Sequence, residues 1–234
     1  MSNTLAIVGV RGLGREIALH FAREGWRVLC AARTRAAVEQ LARDVNSAGG
    51  TGIPFVCDVT DAKSLTPLAA EPAELVIAAQ TSGLRFGSLP LLEISDVELT
   101  QGFSSYVQGT WNLLKALGPG LLSRGRGTFL QMGTSSGIRT KEGFAALGAV
   151  QHGLRALLQV AAREWRERGV HVAYLPIDGP IASEAARAHG RPAERLLRPA
   201  SIAQACAYLH AQTPDAWTHE LVLRPMRGEW TAPT

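Results

Sequence analysis

Six short apolar runs, separated by longer amphipathic or glycine-containing stretches, limit this chain more than any other feature. They are TLAIVG (4–9), RVLCAA (27–32), GIPFVCDV (52–59), ELVIAA (74–79), GTFLQMG (127–133) and VHVAYLP (170–176). Each is apolar nearly throughout instead of alternating with polar residues, as parallel strands covered on both faces are. LGREIALHFAREG (13–25) carries Ile17, Leu19, Phe21 and Ala22 on or near one helical face and stops at Gly25; RAAVEQLARDVNSAGG (35–50) is a second helix ended by glycines. Further helices are predicted over 93–118, broken by Gly118-Pro119, over 144–168, ending at Gly169, and over 199–212, and ELVLRP (220–225) reads as a last short strand. This alternation, with right-handed crossovers, predicts an α/β fold built on a doubly wound parallel sheet. A length of 234 residues suits a single domain over 1–234.

VGVRGLGREIA puts Gly9, Gly12 and Gly14 between the first strand and the first helix. Glycines there let the backbone approach a pyrophosphate, which free N–H groups and the helix dipole then stabilise. A tight turn holding no ligand is the plainer alternative. An NAD site usually offers an Asp or Glu about 20 residues on, for the ribose 2′-hydroxyl. Here CAARTR has no carboxylate, while Arg33 follows the second strand and Arg11 lies in the loop. Two guanidiniums suit a 2′-phosphate, which predicts NADP(H) over NAD; solvated surface charges are the alternative. Asp58, in VCDVTD, either accepts from an adenine amino group or caps the helix beginning near Asp61.

The net charge of +4 comes from arginines scattered among Asp and Glu, with no basic block, so nucleic acid is not an expected partner. No apolar run reaches the roughly 18 residues of a membrane span. The start, MSNTLAIVGVRG, has neither a basic region nor a cleavage site, so a cytoplasmic location is expected. Cys30, Cys57 and Cys206 lack metal spacing; no metal site is expected, and Cys30 and Cys57 read as buried, inert thiols.

The glycine loop, CDVTD, RFGSLPLLEIS, GTFLQMGTSSG, GFAALGAVQHGLRALLQVAAREWRERGVHV, IDGPI and AWTHELVLRP together resemble the short-chain dehydrogenase/reductase family over essentially the whole chain. The resemblance implies a Rossmann sheet of about seven strands with three helices on each face. It implies dimers or tetramers through helices near 101–118 and 144–168, and a small-molecule substrate. It adds Leu13, Val59, Ala79, Gly179 and Ile181 to the cofactor contacts. The family moves hydride between a nicotinamide and a carbonyl or alcohol. A tyrosine is the general acid/base, and a lysine four residues on, one helical turn away, lowers its pKa.

This chain departs from that pattern. Two residues, not three, separate its first glycines; AAQTSG replaces the asparagine phrase after the fourth strand; and Tyr106 replaces the asparagine of the preceding helix. Thr134 stands for the serine and keeps a hydroxyl, whereas the tyrosine is Leu147 and the lysine is Gln151. No register shift restores the pair, because no Tyr-x-x-x-Lys occurs anywhere. Thr134 and Tyr106 are therefore the candidate catalytic groups. For Thr134 the alternative is a turn hydroxyl bonding local backbone, for Tyr106 an aromatic in the core or at a subunit interface. His152 points away from the site face, and Lys141 reads as a solvated loop residue. The segment 177–198, with Arg187, His189, Arg191, Arg195 and Arg198, reads as a cover over the substrate, favouring an acidic compound, or as a solvated lid. Two functions remain: an NADP(H)-dependent oxidoreductase with an atypical site, or a non-redox enzyme or non-catalytic subunit on the same fold.

Overall fold

The six apolar runs form one parallel sheet in the computed structural model, which describes residues 3–80, 89–188 and 190–228. The strands are β1 (Thr4–Val8), β2 (Arg27–Ala32), β3 (Thr51–Val56), β4 (Leu75–Ala78), β5 (Gly127–Thr134) and β6 (Val170–Ile177), in the order β3-β2-β1-β4-β5-β6. The helices are α1 (Leu13–Ala22), α2 (Arg35–Ser47), α3 (Thr66–Ala69), α4 (Asp96–Gly102), α5 (Gly109–Arg124), α6 (Ala145–Trp165), α7 (Glu184–Ala188) and α8 (Pro199–His210). Successive strand residues point to opposite faces. Leu5 and Ile7 of β1 therefore join a core with α1, α2 and α8, while Ala6 and Val8 join one with α3, α5 and α6. Strand order reverses between β1 and β4, and in open sheets of this kind ligands bind beyond the carboxyl ends of the strands at such a point.

Two expectations are corrected. Gly118-Pro119 does not break its helix: α5 runs through Pro119 to Arg124 and ends at Gly125, whose φ is 63°. Proline removes one rung, to the Lys115 carbonyl. Buried Leu113, Leu117 and Leu121 continue the apolar stripe past it, so packing outweighs the local preference. Gly118 itself is a contact point, since a Cβ there would lie 2.5 Å from the Trp165 ring. Nor is the stretch before it uniform. Ser95 and Glu98 form a capping box at the start of α4, and Phe103–Gln108 is a π-helical turn between α4 and α5.

The seventh strand is present as two isolated parallel bridges against β6, Tyr174 with Glu220 and Ile177 with Leu223, not as a continuous strand. The Tyr174 N–H donates to His219 O, Leu221 N–H to Tyr174 O, Leu223 N–H to Pro176 O and Asp178 N–H to Leu223 O. The rung missing from this series is the one Pro176, without an N–H, cannot donate. At the opposite edge, β3 carries Pro54. Thr81, Ser82 and the start of RFGSLPLLEIS, which the resemblance used, lie outside the described residues.

Candidate functional site

Close packing explains two of the three loop glycines. A Cβ on Gly9, whose φ is +98°, would lie 2.6 Å from the Ala79 carbonyl oxygen, and one on Gly14 would lie 1.7 Å from the Gly9 carbonyl oxygen. The β1–α1 turn can thus press against β4 and α1 against the turn. A Cβ on Gly12 would meet open space, and Gly12 caps α1 with no side-chain acceptor. The start of that helix thus has no side-chain cap, and Gly12 and Leu13 line the cavity beside it.

Two neighbouring cavities follow the carboxyl ends of the strands. The smaller, about 170 Å³, is lined by Gly9, Arg11, Arg33, Asp58, Val59 and Ala79 among others. The larger, about 1300 Å³, is lined by Arg11, Gly12, Leu13, Ala79, Tyr106, Thr134, Gln151, Gly179 and Ile181 among others. Arg11, Ala79 and Gln80 border both. Of the candidate cofactor contacts, Gly14 alone lines neither, lying beneath Gly9. Asp58 does not cap the following turn: its Oδ1 accepts from Thr60 N–H and O–H, and Asp61 accepts from Lys63 N–H instead.

At the end of β5 the Thr134 N–H donates to Gln151 Oε1 at 3.2 Å, and the Tyr174 hydroxyl donates to the same oxygen at 3.0 Å. Tyr174 and Gln151 are both 0% exposed. Tyr174 lies beneath the groove, and burial pushes its phenol pKa upward, so it is no proton donor to the groove. The room for its ring comes from glycine. A Cβ on Gly133 would lie 2.1 Å from Tyr174 Cε2, and one on Gly137 would lie 2.3 Å from its oxygen. A second chain runs from Gln131, whose Nε2 donates to Ala78 O and Met132 O, through Thr110 to Gln80. Three buried atoms of the groove's lining residues have no hydrogen-bond partner among the described residues: Thr134 Oγ1, Gln151 Nε2 and Gln80 Oε1. For Thr134 the local-backbone alternative is thereby not realised. Sequence reading missed Tyr174, Gln80, Thr110 and Gln131; the adjacent Gly133 and Gly137 were the available signal.

Tyr106 is buried in the π-helical turn and lines the groove with Thr134 and Gln151. Leu147 departs from its expected place beside the pocket. It is absent from the groove lining because it packs into the core that includes Tyr106, Leu113 and Val150. His152 is exposed, with Nδ1 2.9 Å from Gly148 O, and Lys141 is exposed. Arg155, one turn after Gln151, pairs bidentately with Glu220 at 2.7 and 2.8 Å and donates to Gly137 O. Burial alone would raise the Glu220 carboxyl, but Arg155 holds it below its ordinary value. The 177–198 segment is pinned at its base, where Ala182 N–H donates to Leu197 O and Leu197 N–H to Pro180 O. Arg198 and Glu184 line the groove, while Arg191 and Arg195 are exposed. The Arg187 side chain and His189 lie outside the described residues. All three cysteines are buried, which pushes Cys30 up to about 12, Cys57 to about 11 and Cys206 to about 12. No helix among the described residues is long and apolar enough to cross a membrane.

Known proteins match this arrangement. The sequence model described as enoyl-(acyl carrier protein) reductase matches residues 8–220. Galactitol 2-dehydrogenase (L-tagatose-forming) of Cereibacter sphaeroides is 32% identical over 178 residues, covering 74% of this chain and 68% of that one. A short-chain dehydrogenase from Rhodopseudomonas palustris superposes with a TM-score of 0.80 at 28% identity, over 95% of this chain and 98% of that one. A metagenomic short-chain oxidoreductase in complex with NADP gives a TM-score of 0.80 over 97% and 98% of the two chains, and at 22% identity bears on the fold alone. With the strand order, the glycine loop and a family match over most of its length, the chain belongs to the short-chain dehydrogenase/reductase family of oxidoreductases.

Proposed function

We propose that the chain binds NADP(H) along the two neighbouring cavities and acts there on a small carbonyl or alcohol compound, with Tyr106 and Thr134 in place of the family's tyrosine–lysine pair. The observation that carries this reading is the set of three buried, unpartnered polar atoms, on Gln80, Thr134 and Gln151, in a groove beside the cavity of Arg11 and Arg33. Buried polar groups are nearly always hydrogen-bonded, so a ligand is the natural partner. The residues fit a dinucleotide phosphate. Gly9 and Gly14 allow the close backbone turn, the uncapped start of α1 suits a pyrophosphate, and Arg11 and Arg33 border the smaller cavity with no carboxylate beside them at the end of β2.

When bound, the nicotinamide supplies or accepts the hydride. The chain's task is to orient the carbonyl and move a proton at its oxygen. Thr134 Oγ1 is a neutral donor to that oxygen, and Tyr106 is the one of the three tyrosines that lines the groove. No lysine lines it among the described residues, and the position of the family's lysine is held by the uncharged Gln151. Slow turnover is the expectation. Copies associate through α5 and α6, where Trp111, 46% exposed, and Val160, 52% exposed, offer apolar surface.

A second reading, a non-redox or non-catalytic member of the family, is favoured by the uncharged Gln151 at the lysine position. Titration with NADPH and NADH, followed by nicotinamide fluorescence, tests the first reading. Tight NADPH binding with turnover of a carbonyl is expected, no binding of either at millimolar concentration overturns it, and binding without turnover across a broad carbonyl panel selects the second.

A further inference from the structure

We propose that Tyr174 is a positioning residue that locks the polarity of Gln151, so that the groove presents a fixed, uncharged amide donor to a neutral hydroxyl or carbonyl oxygen of its ligand. The inference deepens the function proposed above and rests on it for the ligand, but the lock itself is a property of the free protein.

The geometry fixes the polarity without reference to any ligand. A backbone N–H can only donate, so the Gln151 atom 3.2 Å from Thr134 N must be its carbonyl oxygen. The Tyr174 hydroxyl carries one proton and lies 3.0 Å from that oxygen and 3.2 Å from Thr134 O, both acceptors, and the shorter contact favours donation to Gln151. Oε1 thus faces the Thr134 N–H and the Tyr174 hydroxyl, and Nε2, on a residue that lines the groove, is left buried and unpartnered among the described residues. Rotation of the amide would set Nε2 against the Thr134 N–H, which can only donate, and would turn the Tyr174 proton wholly to Thr134 O. Tyr174 cannot drift, because its ring fills the space kept by Gly133 and Gly137. The Gln131–Thr110–Gln80 chain works in the opposite sense. Gln131 spends Nε2 on two backbone carbonyls, so its oxygen accepts from Thr110, Thr110 accepts from Gln80 Nε2, and Gln80 Oε1 is left as a buried acceptor with no partner among the described residues. One fixed donor, one fixed acceptor and the Thr134 hydroxyl, which does either, match a ligand with neighbouring hydroxyl or hydroxyl and carbonyl groups. They do not match a carboxylate, which cannot donate to Gln80. The charged group nearest on α6, Arg155, is engaged by Glu220.

Two measurements test this. In the ligand-free protein, the side-chain amide protons of Gln151, assigned by their loss in Gln151→Leu, should exchange with solvent at least about tenfold more slowly than those of an exposed glutamine such as Gln40, and Tyr174→Phe should remove most of that protection. Exchange as fast as at Gln40 in the unsubstituted protein, or unchanged protection in Tyr174→Phe, overturns the lock. With NADPH as the probe, Gln151→Glu, whose carboxylate offers no donor, and Gln151→Leu should each bind about tenfold or more weakly than the unsubstituted protein. Unchanged NADPH affinity in Gln151→Leu overturns the donor role. If the unsubstituted protein does not bind NADPH, the proposed function falls and the exchange measurement still decides the lock. If Tyr174→Phe does not fold, Gln151→Leu and the unsubstituted protein carry the decision.

Discussion

Tyr106 and the paired arginines are single side chains on which the proposed chemistry turns. Tyr106→Phe keeps the ring that packs in the core and removes the phenolic proton. If that proton is transferred, turnover falls by about 10²–10⁴-fold while NADPH binding is unchanged, and retained turnover removes Tyr106 from the mechanism. The double change Arg11→Ala and Arg33→Ala should weaken NADPH about 10–100-fold more than NADH, and equal weakening of the two refutes the 2′-phosphate assignment. Gly133→Ala should destabilise the protein by about 1–3 kcal/mol or more in denaturant titration, since its methyl would overlap the Tyr174 ring, and Tyr174→Leu in the same chain should recover part of that loss. The glycines of the β1–α1 turn were legible in the sequence because a residue without Cβ between a strand and a helix carries its reason locally. The Tyr174–Gln151–Thr134 contact was not. Its members lie 17 to 40 positions apart, and only the meeting of β5, α6 and β6 makes a phenol in an apolar run into a hydrogen-bond donor.

The strands were read almost to the residue, because continuous apolar runs between glycine and amphipathic segments have few other readings. The misreadings fell at prolines, in opposite senses: packing overrides the local rule at Pro119 inside α5, whereas the missing N–H of Pro176 in β6 interrupts the pairing of the last strand. α8 and the tail beyond it are attached through histidines. His171 sits with Nδ1 3.1 Å from Leu209 O and Nε2 2.8 Å from Thr218 O, its ring stacked on Trp217, while His210 Nδ1 is 2.9 Å from Thr128 Oγ1. Burial lowers the pKa of both rings, against opposing carbonyl hydrogen bonds at His171 and the Glu74 charge at His210. The unfolded chain therefore binds more protons than the folded one below about pH 6.5. Stability should be level above that pH and fall beneath it, and the fall should be shallower in His210→Gln. A thermal midpoint that does not move between pH 7.5 and 5.5 would show that these rings do not resist protonation.

For the whole molecule, one group of exposed large apolar residues lies on α4, α5 and the turn between them, while Val56, Leu91, Leu92, Tyr208 and Met226 are exposed elsewhere. Val97 is 62% exposed and Phe103 42%, alongside Trp111 of α5 and Val160 of α6. Trp111→Glu should shift the protein to monomers in light scattering after gel filtration, with its thermal midpoint little changed; an unaltered assembly removes this face from the contact. The fold-level likeness was readable from the sequence, but an exposed Trp111 was not, since apolar residues on a helix look alike until the side facing solvent is known. The two outer strands narrow the ways copies can meet. On one side, Pro54 leaves β3 a donor short along its free margin. On the other, the chain's own final segment lies against β6 and occupies the place an incoming strand would take. The sheet is thus discouraged from lengthening into a fibre, which leaves the helical face proposed above, helix against helix, as a contact that can close on itself and stop.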